Sequence, residues 1–436
     1  MRDSKIETMT RPELEKLQLK RLKSKVKEVY EKVPFYRRAF KEKGVVPEDI
    51  KTLADITKLP FTSKLDFRDN YPFGLTAVPL EQVVRIHSSS GTTGKPIIAP
   101  YTQGDIDTWA ELMARTLATA GVRKDDVMQN AYGYGLFTGG LGFHYGGERL
   151  GAIVIPASTG NTKRQLLMIQ DLGTTVVTCT PSYAIILYET AKEMGIDLRE
   201  TKLRLGVCGA EPWSEQLRNE IETKMGITAI NIYGLTEVMG PGVSVECPHK
   251  CGMHIWEDHF LIEVINPQTG EPLPYGQTGE MVITTLTKEA QPVIRFRTRD
   301  LVSLDADTCE CGRTMVRMSR IMGRSDDMLV IKGVNVFPSQ IESVLLDVEG
   351  VEPQYLIVVD RQHGFKADDL EIWVEVSENF FSDEVVKMEA LEKKLRAELE
   401  SVLSISPRIK LVEPRTIARS EGKAKRVVDR SELNKK

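Results

Sequence analysis

An α/β fold is predicted, with a large N-terminal domain of α/β sheets, an antiparallel β subdomain and a small α+β C-terminal domain. Three changes of pattern along the chain predict it. From residue 83 to about 235, short β-rich runs alternate with helical ones, the signature of much parallel sheet. Residues 260–304 switch to strand runs separated by Gly, Pro and Asn turns, as in an antiparallel unit. After about residue 323 the order becomes strand, helix, strand, strand, helix, strand. The 436 residues exceed what one hydrophobic core usually holds, so two domains are expected, 1–323 and 324–436.

Each element has a local reason. Leu14, Leu17, Leu22, Val26, Val29 and Val33 recur near helical spacing and predict an amphipathic helix over residues 10–33, its charged face left to solvent. Strands are predicted at 83–87, 127–132, 152–155, 175–180, 203–208 and 228–233, with helices near 105–119, 163–171, 182–194 and 214–224. FLIEVI, GEMVITTL and LVSL supply the antiparallel unit. MLVI, SQIESVLLDV, PQYLIVV, LEIWVEV, a charged helix near 383–403 and RIKLVE supply the C-terminal one. No repeat or low-complexity tether lies between the domains, so a short hinge is expected to join them.

Composition narrows the function. Hydrophobic residues at 41% and charged residues at 28% are ordinary for a soluble protein. A net charge of -4 argues against nucleic acid as the main partner, because phosphate-backbone binding needs a basic field. The N-terminus, MRDSKIETMTRPELEKLQLKRLKSK, holds no uninterrupted apolar stretch of the signal-peptide kind. No segment approaches the ~18 apolar residues that suggest a membrane span. A cytoplasmic location and no membrane partner are therefore expected, and with them few structural disulfides among the six cysteines.

The run Ser88, Ser89, Ser90, Gly91, Thr92, Thr93, Gly94, Lys95 and Pro96 follows a predicted strand. Two glycines let the backbone approach an anion closely, hydroxyls and amides can donate to phosphate oxygens, and Lys95 adds charge. It is not a Walker loop: the glycines stand too close together, and Pro96 occupies the place of a magnesium-binding Ser or Thr. A plain Ser/Gly turn could have part of this composition.

The full string, SSSGTTGKP, resembles the phosphate loop of the adenylate-forming superfamily, which includes acyl-CoA synthetases, peptide-synthetase adenylation domains and luciferases. Four further segments match in order: Tyr233-Gly-Leu-Thr-Glu237, Arg295-Phe-Arg-Thr-Arg-Asp300, Gly323-Arg-Ser-Asp-Asp-Met-Leu-Val-Ile-Lys-Gly333 and Ser420-Glu-Gly-Lys423. IWEDHF at 255–260, TLTKEA at 285–290 and GRSDDMLVIKGVNVFPSQIE at 323–342 resemble the phenylacetate–CoA ligase group within it.

The resemblance implies ATP-dependent ligation of an aryl-acetic acid to coenzyme A through an acyl-adenylate. By it, residues 88–95 hold the β- and γ-phosphates, Glu237 binds Mg²⁺ and Thr236 contacts the α-phosphate. Gly209, Ala210, Glu211 and Pro212 border the adenine with Tyr233 and Gly234. Asp300 accepts from the ribose hydroxyls, and Arg324 lies near the nucleotide at the domain junction. Lys423 reaches the forming acyl–phosphate linkage, chosen over Lys425 because the family's lysine directly follows glycine. The small domain is mobile in the family; Asp326 matches its hinge, and Lys332 and Gly333 the face that meets coenzyme A. A homodimer is implied on the same ground. Each residue taken singly has a plainer reading: a helix-start carboxylate for Glu237, a strand-to-helix connection for 209–212, surface charges for Asp300 and Arg324, a basic tail for Lys423.

Two further constellations stand out. In Tyr132-Gly-Tyr-Gly-Leu-Phe-Thr-Gly-Gly-Leu-Gly142, small glycines beside aromatic rings suit a flat slot for another ring, with Tyr132, Tyr134 and Phe137 as candidates. Core aromatics with flexible turns would give the same pattern. Cys247-Pro-His-Lys-Cys-Gly-Met-His254 and the distant Cys309-Glu-Cys311 suggest tetrahedral zinc, pinning the loop after Glu237 to the antiparallel subdomain. Free thiols are the alternative. Cys247, Cys309 and Cys311 are the firmest ligands. His254 is preferred to Cys251 and His249, because family members without the Cys-x-Cys pair tend to lack this histidine. Cys179 and Cys208 fall in predicted strands, as core residues. Other readings are an adenylating enzyme that serves another acceptor, a ligase for indoleacetate or benzoate, and a non-catalytic nucleotide-binding protein.

Overall fold

The computed structural model describes residues 1–89, 96–327, 329–331, 334–359, 366–367, 370–377, 385–403, 405–419 and 426–430. The first long helix, Arg11–Lys32, starts where the Thr10 amide donates to Glu13 Oε2 at 3.1 Å and stops before Pro34, which opens the next helix, Pro34–Glu42. Its apolar stripe, Leu14, Leu22, Val26 and Val29, is buried. Gln18 and Lys25 lie on that stripe and donate to the carbonyls of Glu257 (3.0 Å) and Lys288 (2.6 Å), so the N-terminal helix is bolted to the segments around 257 and 288.

The central sheet has nine strands. Five are parallel, in the spatial order Ile153–Ile155, Val127–Asn130, Val176–Cys179, Leu205–Gly209, Thr228–Leu235. Gly240–Glu246, Met253–Ile255, Arg317–Met318 and Leu304–Asp305 extend it antiparallel. The five parallel strands are those expected at 127–132 to 228–233. Their connecting helices are Thr162–Asp171, Pro181–Glu193 and Glu215–Met225, with Gln103–Ala120 before them. A second, antiparallel sheet joins Phe260–Ile265, Gly279–Thr285, Phe296–Val302 and Gly323–Arg324. The strand predicted at LVSL is divided: Val302 ends in this sheet and Leu304 enters the large one.

Part of the Gly-rich run is helical, which neither the slot reading nor the alternative of flexible turns included. Residues Thr138–Leu150 form a helix packed on Gln103–Ala120. Its glycines carry the contact. A Cβ on Gly142 would stand 2.6 Å from the Trp109 ring, one on Gly146 2.4 Å from Met113 Cβ, and one on Gly147 2.4 Å from Met128 Cε. Close packing against two faces outweighed the low helix propensity of glycine.

The C-terminal unit has its own buried core, which includes Leu329, Ile341, Leu345, Tyr355, Ile357, Ile372, Val374, Leu395 and Leu399. Its sheet runs Arg408–Val412, Leu370–Val376, Val351–Val359, Val427–Asp429, backed by helices Pro338–Leu346 and Val385–Leu403. The predicted strand at MLVI is present as Leu329–Ile331, and the strands Val334–Val336, antiparallel to it, and Val427–Asp429 add to the predicted elements.

Candidate nucleotide and acid site

The segments with chemical promise leave the same edge of the sheet, at the carboxyl ends of the parallel strands, where open α/β sheets bind ligands. After strand Leu205–Gly209 the chain must turn at once. A Cβ on Gly209 would lie 2.4 Å from the Ile232 carbonyl oxygen, and Ala210 takes the left-handed conformation (φ 73°), uncommon for a side-chain-bearing residue. Pro212 completes the turn. Glu211 is tied down by the Ser182 amide, which donates to its Oε1 at 2.8 Å from the start of helix Pro181–Glu193.

Tyr132 crosses three strands. Its hydroxyl donates to the Cys179 carbonyl (2.5 Å) and accepts from the Gly209 amide (2.9 Å), and its ring stacks on Phe143 at 4.8 Å. Burial raises its pKa well above the usual tyrosine value. Tyr132 is thus a fixed, buried ring, and the strand expected to reach it ends at Asn130. Tyr134 is half-buried. Its hydroxyl accepts from Asn130 Nδ2 at 2.8 Å, lies 3.2 Å from His144 Nδ1 and is pushed by burial up to about 12. Leu136 and Phe137 are exposed.

The start of the phosphate-loop run is tied to this segment. The Leu136 carbonyl accepts from the Ser88 amide at 2.8 Å and faces His87 Nδ1 at 3.0 Å. The Ser89 amide donates to Ile97 across the run (3.0 Å), and Ser89 Oγ accepts from the Ile97 amide (3.0 Å). Ser90, Gly91, Thr92, Thr93, Gly94 and Lys95 lie outside the described residues, as do Lys332, Gly333 and Lys423.

Two segments distant in sequence converge on Asp300. The Tyr233 hydroxyl donates to Asp300 Oδ2 at 2.6 Å, and Arg324 Nη1 donates to Oδ1 at 2.8 Å. Arg324 also donates to Asp326 (2.9 Å) and sits 3.4 Å from Asp327. Burial alone would depress the guanidinium; the Asp300, Asp326 and Asp327 carboxylates outweigh it and raise its pKa. Burial, then the Asp300 charge, raises Tyr233 likewise. Arg299, just before Asp300, is left-handed at φ 70°, and its carbonyl accepts from the Ser325 amide at 2.7 Å. Gly234 is required where a Cβ would lie 2.1 Å from the Gly240 carbonyl. Beyond Thr236, Glu237 is buried, with Lys64 Nζ 3.9 Å from its Oε1. Sequence reading passed over Lys64, which starts a helix remote in the chain, and His87, which lay one residue before the hydroxyl run.

The cysteine cluster sits at the antiparallel edge of the nine-stranded sheet. Ligand atoms of Cys247, His254, Cys309 and Cys311 all lie within 4.8 Å of one another. His254 Nε2 is 3.3 Å from Cys311 Sγ, and Cys247 Sγ is 3.7 Å from Cys309 Sγ. Burial, with Arg313 and Arg317 nearby, lowers the His254 pKa to about 3, which leaves the ring neutral. Cys251 Sγ approaches Cys309 at 3.3 Å but is exposed, and His249 turns outward to Glu310. The two loops join strands of the large sheet. The expected link to the antiparallel subdomain is not made, because the chain crosses back to the large sheet at Leu304 before reaching Cys309.

Comparison with known proteins agrees with this geometry. The AMP-binding enzyme family matches residues 2–286, and the AMP-binding enzyme C-terminal domain matches residues 333–431. The phenylacetate-coenzyme A ligase of Thermus thermophilus is 50% identical over 443 residues, covering 98% of this chain and 99% of the relative. Among solved structures, 2-hydroxyisobutyryl-CoA ligase in the postadenylation state, in complex with R3-HIB-AMP, superposes with a TM-score of 0.92 at 30% identity, over 98% of this chain and 92% of that one. The same ligase in the thioesterification state, with 2-HIB-AMP and CoA, gives 0.73 at 31% identity over 99% of this chain and 93% of that one. The chain belongs to the AMP-binding, adenylate-forming enzymes, in their phenylacetate–coenzyme A ligase group.

Proposed function

We propose that this enzyme joins phenylacetate, or a close arylacetic acid, to coenzyme A at the expense of ATP. A carboxylate is a poor electrophile whose charge repels ATP, so activation needs the triphosphate held and its α-phosphorus presented in line. In the first step the carboxylate oxygen attacks the α-phosphorus, the bond to the β-phosphate bridging oxygen breaks, and pyrophosphate leaves. In the second, the thiol sulfur attacks the acyl carbon, the bond to AMP breaks, and the thiol gives up its proton.

The observation that carries the reading is the convergence of Tyr233, Asp300 and Arg324 beside the 209–212 turn at the sheet edge. The Asp300 carboxylate is assigned to the ribose hydroxyls, and Tyr233 and Arg324 fix its orientation. The left-handed turn at Ala210 suits an adenine lying against backbone. The run 88–95 is assigned to the phosphates, Thr236 to the α-phosphate and Lys423 to the acyl–phosphate linkage. Glu237, a buried carboxylate, has the hard oxygen donor that magnesium prefers; bound there, the ion would offset phosphate charge. Tyr132, Tyr134 and Phe137 are assigned to the acid, Tyr132 as a fixed wall and the other two nearer its mouth.

Cys247, His254, Cys309 and Cys311 fit zinc by donor chemistry and spacing, and the ion would supply a cross-link at the sheet edge. We divide the chain into an adenylation domain, 1–323, and a lid, 324–436, with Asp326 at the hinge and Lys332 and Gly333 toward coenzyme A. A homodimer and a cytoplasmic location complete the reading. No helix among the described residues is long and apolar enough to cross a membrane.

The test is AMP release with coenzyme A across phenylacetate, 4-hydroxyphenylacetate, indoleacetate, benzoate, acetate and a medium-chain fatty acid. Selective turnover of arylacetates is expected. Preference for acetate or the fatty acid overturns the aromatic slot. Absence of both AMP release and ATP–pyrophosphate exchange with every acid overturns the ligase.

A further inference from the structure

The small domain docks on two helices of the large one through polar contacts. Gln216 Nε2 donates to Asp347 Oδ1 at 2.8 Å, Lys224 lies 4.0 Å from Glu352, and Arg415 pairs with Glu193. The firmest contact is made by Arg419. Its Nε and Nη2 meet the two oxygens of Glu189, each at 3.2 Å, while Nη1 donates to Glu375 Oε1 at 2.8 Å and to the Ile417 carbonyl at 3.1 Å. Glu189 is on helix Pro181–Glu193 of the large domain; Glu375 is on strand Leu370–Val376 of the small one and is fully buried. Glu375 Oε1 also accepts from the Ile417 amide at 2.7 Å, so the segment ending at Arg419 is fixed to the lid before it reaches across.

Two facts give this fork a role beyond packing. Arg419 stands four residues before Lys423 in the chain. The whole-chain likeness to one relative is much higher in its postadenylation arrangement than in its thioesterification arrangement, at near-equal identity and coverage, so the contacts seen here belong to the first of the two. We infer that the Arg419–Glu189 fork is a releasable latch. It holds the lid in the adenylation arrangement, positions the chain entering the Lys423 loop, and must open before coenzyme A can react. A bidentate guanidinium–carboxylate pair gives direction to docking, and its partial exposure keeps it weak enough to let go. The inference rests on the ligase reading above.

The test is Glu189→Gln in the full chain, which removes the charge and one of the two acceptor oxygens from the large-domain arm of the fork and leaves buried Glu375 its partner. ATP–pyrophosphate exchange with phenylacetate should fall roughly three- to tenfold, the scale of a partly exposed charged pair. Thioester formation from supplied phenylacetyl-adenylate and coenzyme A should stay within about twofold of wild type or rise, a split that general loss of folding would not produce. Moderate salt should lower exchange in wild type more than in the variant. An equal fall in both half-reactions, or no fall in either, overturns the latch. Hydrogen exchange without substrate separates this from the ligase reading: protection of helix Pro181–Glu193 and of residues 415–419 should drop in the variant. If wild type activates no aryl acid, the ligase reading fails alone, and unchanged protection overturns the latch on its own account.

Discussion

Asp300→Asn puts the nucleotide assignment at risk. The wild-type carboxylate is held on both oxygens, by the Tyr233 hydroxyl at 2.6 Å and by Arg324 at 2.8 Å, and is assigned to accept from both ribose hydroxyls. An amide has the same shape but one oxygen. Facing its nitrogen to Arg324 would set donor against donor, so the oxygen must stay with Arg324 and the nitrogen must turn to Tyr233, whose hydroxyl can rotate to accept. The ribose then loses one charge-assisted hydrogen bond outright and keeps a neutral one in place of the other. Charge-assisted bonds contribute about 1.5–3 kcal/mol and neutral ones about half that, so the loss should be about 2–4 kcal/mol. That corresponds to roughly a 30- to 1,000-fold fall in kcat/KM for ATP. The assay is ATP–pyrophosphate exchange at varied ATP and saturating acid, with Tm measured alongside. Arg324 retains Asp326 and Asp327, so the fold should hold. A folded variant that loses less than about threefold would refute the assignment of Asp300 to the ribose.

Other expectations test separate parts. Lys423→Ala should lower pyrophosphate exchange by roughly 10²- to 10³-fold while ATP binding, followed by calorimetry, is largely kept; unchanged exchange removes Lys423 from the mechanism. Purified protein should carry about one zinc per chain and Cys309→Ser markedly less, with a lower Tm; metal analysis finding no zinc in wild type sinks the site. Lys288 is buried over the Tyr101 ring, and burial, offset in part by Asp105 and Glu289, lowers its pKa from 10.5 to about 7. Between those values the unfolded chain binds the extra proton, so stability should rise with pH from 7 toward 10.5. Relative to Lys288→Met, wild type should gain about 2 kcal/mol between pH 7 and pH 9 in urea melts; parallel curves for the two proteins would refute the shift.

The sequence by itself determined the elements whose reasons are local. Alternation of β-branched runs with amphipathic ones located the five parallel strands of the large sheet, and the order of motifs from Ser88 to Lys423 pointed to the family to which the chain belongs, because a loop that must meet phosphate with backbone amides tolerates few sequences. The four preferred candidate ligands, Cys247, His254, Cys309 and Cys311, were also legible and do meet in space. The tertiary structure decided what depends on partners far along the chain. The helix at Thr138–Leu150 was hidden because its glycines look like turns until Trp109, Met113 and Met128 are seen against them. Tyr132 could be read as an aromatic wall, but only the folded sheet brings its hydroxyl to Cys179 and Gly209. Lys64 and Arg419 carry no motif; one comes to the buried carboxylate Glu237 and the other to Glu189 only when separate elements pack. Local backbone preference and motif chemistry are written in short stretches of residues, whereas ion pairs across the fold are set by which surfaces the hydrophobic cores bring together.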